Sequence, residues 1–214
     1  MRSKAFFSVE ERARYLEMFD DWLLKGYMRR VGKQEAKSTV YYYLAHFPVF
    51  KGTQPNRKIR PVMDAAAKHR GSCINYFLLT GPNLMQDLPT ALMRFRARSV
   101  ALSGDVSEMF LQVRMNPEDC AYHRVLLWNE LGDEIVLEFL RHVFGSTCSP
   151  VIAMFAARFL ARPFEELYPR AIEVITNSTI MDDGMDSFST KEEARAVRDQ
   201  LKEIYGTGGM EIKK

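Results

Sequence analysis

Three aspartates in this chain of 214 residues have a setting that calls for chemistry. Asp182 and Asp183 are neighbours in STIMDDGMDS (178–187), between apolar residues and a glycine, and Asp105 closes the apolar run SVALSGDV (99–106) 77 and 78 residues before them. Two adjacent carboxylates in an apolar setting repel, and one is pushed toward its neutral form unless water, a cation or a basic partner is supplied. If a sheet pairs the two segments, three carboxylates meet. Such an oxygen set suits hard cations such as Mg²⁺, and two ions about 4 Å apart stabilise both the attacking and the leaving oxygen of a phosphoryl transfer. Asp-Asp-Gly is also ordinary hairpin-turn chemistry, so the residues alone leave a structural reading beside the catalytic one.

The other metal-binding and nucleophilic types are scattered. Cys73, Cys120 and Cys148 form no C-x-x-C pair, and His46, His69, His123 and His142 are dispersed, which argues against a disulfide framework and a zinc site. The first thirty residues carry charges every few positions, so no signal peptide or membrane span is expected there, and an intracellular protein is the default. Net charge is only +3, but residues 25–98 carry +11 and residues 99–214 carry −7. One region is built to meet a polyanion while the other gathers carboxylates.

The elements that must position these residues follow from patterning. Ser8 with Glu11 forms a capping box ahead of apolar residues at helical spacing, up to a stop at Gly26. YYYLAHFPVF (41–50) and IRPVMDA read as two strands joined by a loop carrying Arg57, Lys58 and Arg60. A helix starts near Pro89, a strand runs to Asp105, and YHRVLLW and EIVLEFLRHV make a hairpin around NELGD. SPVIAMFAARFLARPFEEL is expected as a long helix kinked at Pro163, and AIEVITNSTIMDD with GMDSFS as a hairpin with the aspartates at its turn. Thr190 with Glu193 caps a last helix ending near Gly206, before a strand in GGMEIKK. Strands and helices without strict alternation favour an α+β fold over a parallel doubly wound sheet.

Six segments in order, IRPVMDAAAKHRG, INYFLLTGPNL, SGDVSEMFLQV, HVFGSTCSP, IMDDG and GGMEIKK, resemble the reverse transcriptases, most closely those of BEL/Pao long-terminal-repeat retrotransposons. The resemblance covers residues 40–214. It implies a right-hand polymerase: a helical lead-in over 1–40, basic fingers over 41–98, and over 99–214 an antiparallel palm sheet backed by helices, with some fingers elements at 115–145. It implies two Mg²⁺ ions, with Mn²⁺ as a substitute, on Asp105, Asp182 and Asp183, and transfer of a deoxynucleotide from a dNTP to a primer 3′-hydroxyl on an RNA or DNA template.

The resemblance also assigns the dNTP contacts. Arg60, with Lys58 as a second candidate, would grip the triphosphate, since a guanidinium meets phosphate oxygens in pairs. Phe110 would lie beneath the sugar and exclude a ribose 2′-hydroxyl. Phe144 and Gly145 would form the turn that passes close to nucleotide and template, with Ser149 and Pro150 starting the next helix as cap and first-turn residue. Lys213 or Lys214 matches a lysine near the departing pyrophosphate. Without the resemblance, Phe110 reads as a core aromatic and the lysines and arginine as solvated charges.

Two departures stand out. Ile180 replaces the tyrosine that usually precedes the double aspartate by two positions, and the chain stops where a primer grip and thumb would follow. The expectation is therefore a fingers and palm piece of a larger polyprotein, without its thumb, RNase H and integrase parts, acting in a cytoplasmic element particle and not at a membrane. Its rivals are an inactive or domesticated remnant that only binds nucleic acid, and a two-metal nuclease or phosphohydrolase.

Overall fold

The computed structural model describes residues 8–38, 40–53, 57–129 and 131–213. Helix α1 (Val9–Leu24) begins where expected, with the Ser8 hydroxyl accepting from the Glu11 N–H and the Glu11 carboxylate accepting from the Ser8 N–H. Strand β1 (Met28–Arg30), the short helix α2 (Glu35–Ser38), and strands β2 (Ala45–Lys51) and β3 (Lys58–Asp64) follow. Lys58 and Arg60 therefore lie in a strand and not in a loop. The ladder runs from Ala45 opposite Asp64 to Lys51 opposite Lys58, so the pairing takes in both residues. Tyr42 and Leu44 stay outside β2 because their backbone groups bond to Arg124 instead.

Asp87 caps α3 (Leu88–Arg96), which has proline in its first turn, as its missing N–H allows. After β4 (Val100–Val106), a four-residue helix α4 (Met109–Gln112) intervenes before the hairpin of β5 (Arg124–Trp128) and β6 (Glu134–Phe139). Helix α5 (Ser149–Ala161) gives way at Pro163 to a 3₁₀ turn, Arg162–Phe164, so the expected kink is an ending. Its N-cap is Cys148, without a side-chain cap, and Ser149 is the first helical residue rather than the cap.

A larger correction falls on AIEVITN, expected as the first arm of a hairpin. It is helix α6 (Pro169–Asn177), with Ala171, Val174 and Ile175 buried. Spacings of three and four put these on one helical face, and that period overrides the strand preference of the β-branched residues. Only β7 (Thr179–Ile180) remains to pair with β8 (Asp183–Phe188). Helix α7 (Lys191–Thr207), capped by Thr190, and β9 (Ile212–Lys213) complete the described chain.

The fold is mixed α/β, and every pair of strands within its sheets is antiparallel. It divides into two compact units: one runs to Leu79 and resumes over Arg114–Thr147, and the other joins Thr80–Val113 to Cys148–Lys214. The sequence boundaries at 40 and 98 differ from these, since α1 belongs to the same unit as β2 and β3. The first unit holds the sheet β1-β6-β5 and the ribbon β2-β3. The second holds the sheet β7-β8-β4-β9, over a core from α5, α6 and α7 that includes Ala157, Val174, Leu201 and Ile204. Among the described residues no helix is long and apolar enough to cross a membrane.

Candidate functional site

In the second unit, β4 and β8 align so that Gly104 faces Gly184 and Asp105 faces Asp183. On its other side β4 meets β9, where Asp105 is the partner of Lys213. Asp105 thus stands on an interior strand between an aspartate and a lysine. Cross-strand partners share a sheet face, and alternation puts the glycine pair on the opposite face. On that face a cavity of about 40 Å³ is lined by residues including Leu102, Gly104, Gly184, Asp186, Tyr205 and Ile212. A Cβ on Gly104 would come within 3.0 Å of Ile212 Cγ2 in β9, so glycine there lets β9, and Lys213 with it, close on the sheet.

Asp182 occupies the turn between β7 and β8, and its carbonyl accepts the Val106 N–H at 2.9 Å, tying the turn to the end of β4. Its carboxyl is held above the ordinary aspartate range, first by burial and then by the neighbouring charges of Asp183 and Asp105. Asp182 thus feels the charges of both other aspartates. Among the described residues, however, no group of three or more His, Cys, Asp or Glu side chains is gathered into a metal-ready cluster. The donor chemistry of the three aspartates suits a hard cation.

Backbone strain concentrates here. Met181, immediately before Asp182, has φ +54°, and Glu108, three residues past Asp105, has φ +49°. A left-handed backbone costs a non-glycine residue about 1–2 kcal/mol, and such strain tends to collect where function over-determines the geometry. Ile180 pairs with Asp183 as the last residue of β7.

Asp186, in the same quoted stretch, has a different role. It is buried, accepts from the Ser178 hydroxyl at 3.0 Å and the Ser187 N–H at 2.7 Å, and pairs with Arg170 at 3.0 Å. It anchors β8. Phe110 is 5% exposed within the core cluster of the second unit, so its ring packs among Val106, Met109 and Ala153. Lys213 is exposed and lies 3.4 Å from Glu211, while Lys214 lies outside the described residues.

The remaining candidates belong to the first unit. Lys58 and Arg60 are exposed on β3, and Phe144 is 49% exposed ahead of Gly145. Gly145 has φ +96°, and a Cβ there would stand 2.1 Å from the Met63 carbonyl oxygen. Only glycine fits so close to β3. Sequence reasoning missed Asn75, whose amide donates to the Gly145 carbonyl at 2.9 Å and accepts from the Thr147 N–H at 3.1 Å. It straps the turn from both sides. The buried Ser146 and Thr147 hydroxyls beside it have no hydrogen-bond partner among the described residues. No local signal could find Asn75, because its partners lie 70 and 72 residues away.

A scan of the chain against protein-family models and a search of curated proteins both give no match.

Proposed function

We propose that this chain is the fingers and palm of an RNA-directed DNA polymerase of the BEL/Pao retrotransposon type, adding deoxynucleotides to a primer 3′-hydroxyl on a nucleic-acid template. The reading is carried by the register that sets Asp105 opposite Asp183, with Asp182 bonded to the end of the same strand. Asp105, Asp182 and Asp183 are the residues that would hold Mg²⁺, which when bound lowers the pKa of the primer hydroxyl and neutralises the triphosphate charge.

The chain's own side chains do the rest. Asp182, whose carboxyl is held above the ordinary aspartate range by burial and the neighbouring carboxylates, would have its charge offset by a cation bound there. Lys213, across the ladder from Asp105, is a cation for the departing pyrophosphate. By the resemblance, Lys58 and Arg60 would be the triphosphate contacts and Phe144 with Gly145 the nucleotide turn, which within the first unit is strapped by Asn75. Phe110 acts on sugar choice only through the edge that its packing leaves open.

The test is extension of a primer on an RNA template, with Mg²⁺ and dNTPs, by the protein carrying this chain together with its natural flanking sequence. Asp105→Asn and Asp182→Asn are each expected to abolish extension; extension retained by either variant overturns the assignment. A second reading, nucleic-acid binding without catalysis, is favoured by the charge of +11 over residues 25–98. Salt-sensitive binding with no dNTP incorporation by the unaltered protein selects it.

A further inference from the structure

Helix α1 is held from two sides within the first unit. Toward the inner face of the ribbon β2-β3, the Tyr15 hydroxyl meets His46 Nδ1 at 2.7 Å and Glu11 pairs with Arg57 at 2.5 Å. Its other flank lies over the sheet β1-β6-β5 and is tied at two points. Arg12 donates to the Trp128 and Asn129 carbonyls at 3.0 and 3.2 Å, and the Trp22 ring packs against Phe139 with centroids 5.7 Å apart. Along this flank Ala13, Leu16, Asp20 and Leu23 recur at spacings of three and four, one stripe of the helix, with Glu17 a turn from Ala13 and from Asp20. The stripe does not close on the sheet. A cleft of about 430 Å³ stays open between them, lined on the sheet side by Leu127, Ile135 and Leu137.

The cleft has an apolar floor and a charged mouth. Leu127 and Ile135 are cross-strand partners, and alternation puts Leu137 on the same sheet face, with Arg30 beside it as its partner in β1. Phe19, Leu127 and Leu137 are buried, and Leu16 and Ile135 half-buried. At the mouth Glu17, Asp20 and Arg30 are exposed. Asp20 reaches Arg30 only at 3.8 Å, and Glu17 makes no ion pair among the described residues. Two carboxylates against one guanidinium leave the mouth negative. The volume falls within the roughly 300–1,000 Å³ of small-molecule sites. Rings buried on the floor gain hydrophobic free energy, and a charge left at the wet rim keeps its hydration. A nucleotide or any other anion would meet the carboxylates. An organic ammonium ion suits both parts.

We propose that the cleft between α1 and the sheet β1-β6-β5 binds a small amphipathic cation, its apolar rings on Leu16, Leu127, Ile135 and Leu137 and its ammonium group beside Glu17 and Asp20. The site takes no residue from the polymerase reading and does not rest on it. A ligand seated there touches the helix and two strands at once, so it holds α1 to the sheet.

The test is calorimetric titration of the unaltered protein with diphenylpropylamine, beside diphenylpropanol and diphenylpropionate, which keep the rings and make the head group neutral or anionic. The amine is expected to bind best and the carboxylate about tenfold more weakly. Glu17→Gln is expected to weaken amine binding about threefold and to leave the alcohol unchanged. Ala13→Trp, which fills the cleft, is expected to lose both. No binding of the amine, or equal affinity for the three probes, overturns the proposal. So does wild-type amine affinity in Ala13→Trp with a preserved melting curve. Glu17 is exposed, so Glu17→Gln decides the matter even where Ala13→Trp fails to fold: an unchanged preference for amine over alcohol overturns the site. None of these outcomes involves Mg²⁺, dNTPs or the aspartates, whose own test is primer extension.

Discussion

Asp105 and Asp183 are direct cross-strand partners, and the peptide of Asp182 is bonded to the residue after Asp105. One ladder therefore fixes the spacing of three carboxylates whose mutual repulsion the fold has to bear. Because the Asp182 pKa is raised on folding, the native state binds more protons there than the unfolded chain, and this group's contribution to stability falls as pH rises through the carboxylate range. Asp182→Asn is expected to raise the melting temperature in EDTA at neutral pH. Mg²⁺ is expected to stabilise the unaltered chain, by about 2.7 kcal/mol at a hundredfold excess over its dissociation constant, and to stabilise the variant far less. Thermal melts with and without Mg²⁺ read both effects.

His142 gives the first unit the opposite pH response. Burial, and then the nearby His123, push its pKa down to about 4. The native state binds fewer protons than the unfolded chain, so this contribution is complete above about pH 6.5 and is lost as pH falls toward 4. Trp22 and Trp128 both lie in the first unit, so tryptophan fluorescence follows it selectively. Acid titration is expected to unfold this unit over that window, and His142→Phe, which removes a buried nitrogen without a partner, to flatten the acid limb.

Two glycines with positive φ separate conformational strain from collision. Gly132 (φ +85°) has nothing within 4 Å of an added Cβ, whereas at Gly145 the Met63 carbonyl blocks it. Gly132→Ala is expected to cost about 1–2 kcal/mol, and Gly145→Ala roughly 2–5 kcal/mol. Asn75→Ala, which releases the same turn, is expected to cost about 1–3 kcal/mol. Urea unfolding of the three variants orders them.

Arg124 and Glu138 are register partners in β5 and β6, 1% and 3% exposed, joined at 2.7 Å, and Glu138 also receives Arg29 at 2.8 Å. Removing the carboxylate leaves the buried Arg124 guanidinium without its hydrogen-bonded counter-charge. Glu138→Ala is expected to destabilise by about 3–5 kcal/mol, while Arg124→Met with Glu138→Leu recovers most of the loss. Chemical denaturation of the single and double variants distinguishes them.

Local signals reached far into this fold. The capping residues Ser8 and Thr190, the hairpin around NELGD and the strand that carries Asp105 are each set by a few neighbouring side chains, and they stand as the sequence indicates, with β4 running one residue further to Val106. What failed needed competition between signals. AIEVITN has strand-favouring residues at helical spacing, and the spacing prevailed. Lys58 and Arg60 look like loop charges until the partner strand is known. At the site, the pairing of Asp105 with Asp183 was legible because Asp105 lies near the end of an apolar strand and Asp183 at the turn into another, but the third partner, Lys213, depends on how β9 returns to the sheet. Asn75 was invisible, since nothing within its own stretch marks a residue that works 70 positions away.

The contacts between α1 and the inner face of β2-β3 also decide where this chain can be shortened. A two-stranded ribbon alone is marginal in water. Here it is completed by Tyr15, Phe19 and Glu11, which meet His46 and Arg57. A version begun after Gly26 would present Ile59, Met63 and Phe50 to solvent, and strand edges with apolar faces invite aggregation. The helix that a sequence reader would trim as a leader is the lid of the ribbon's core, so a well-behaved expressed piece has to retain Ser8 and its capping box.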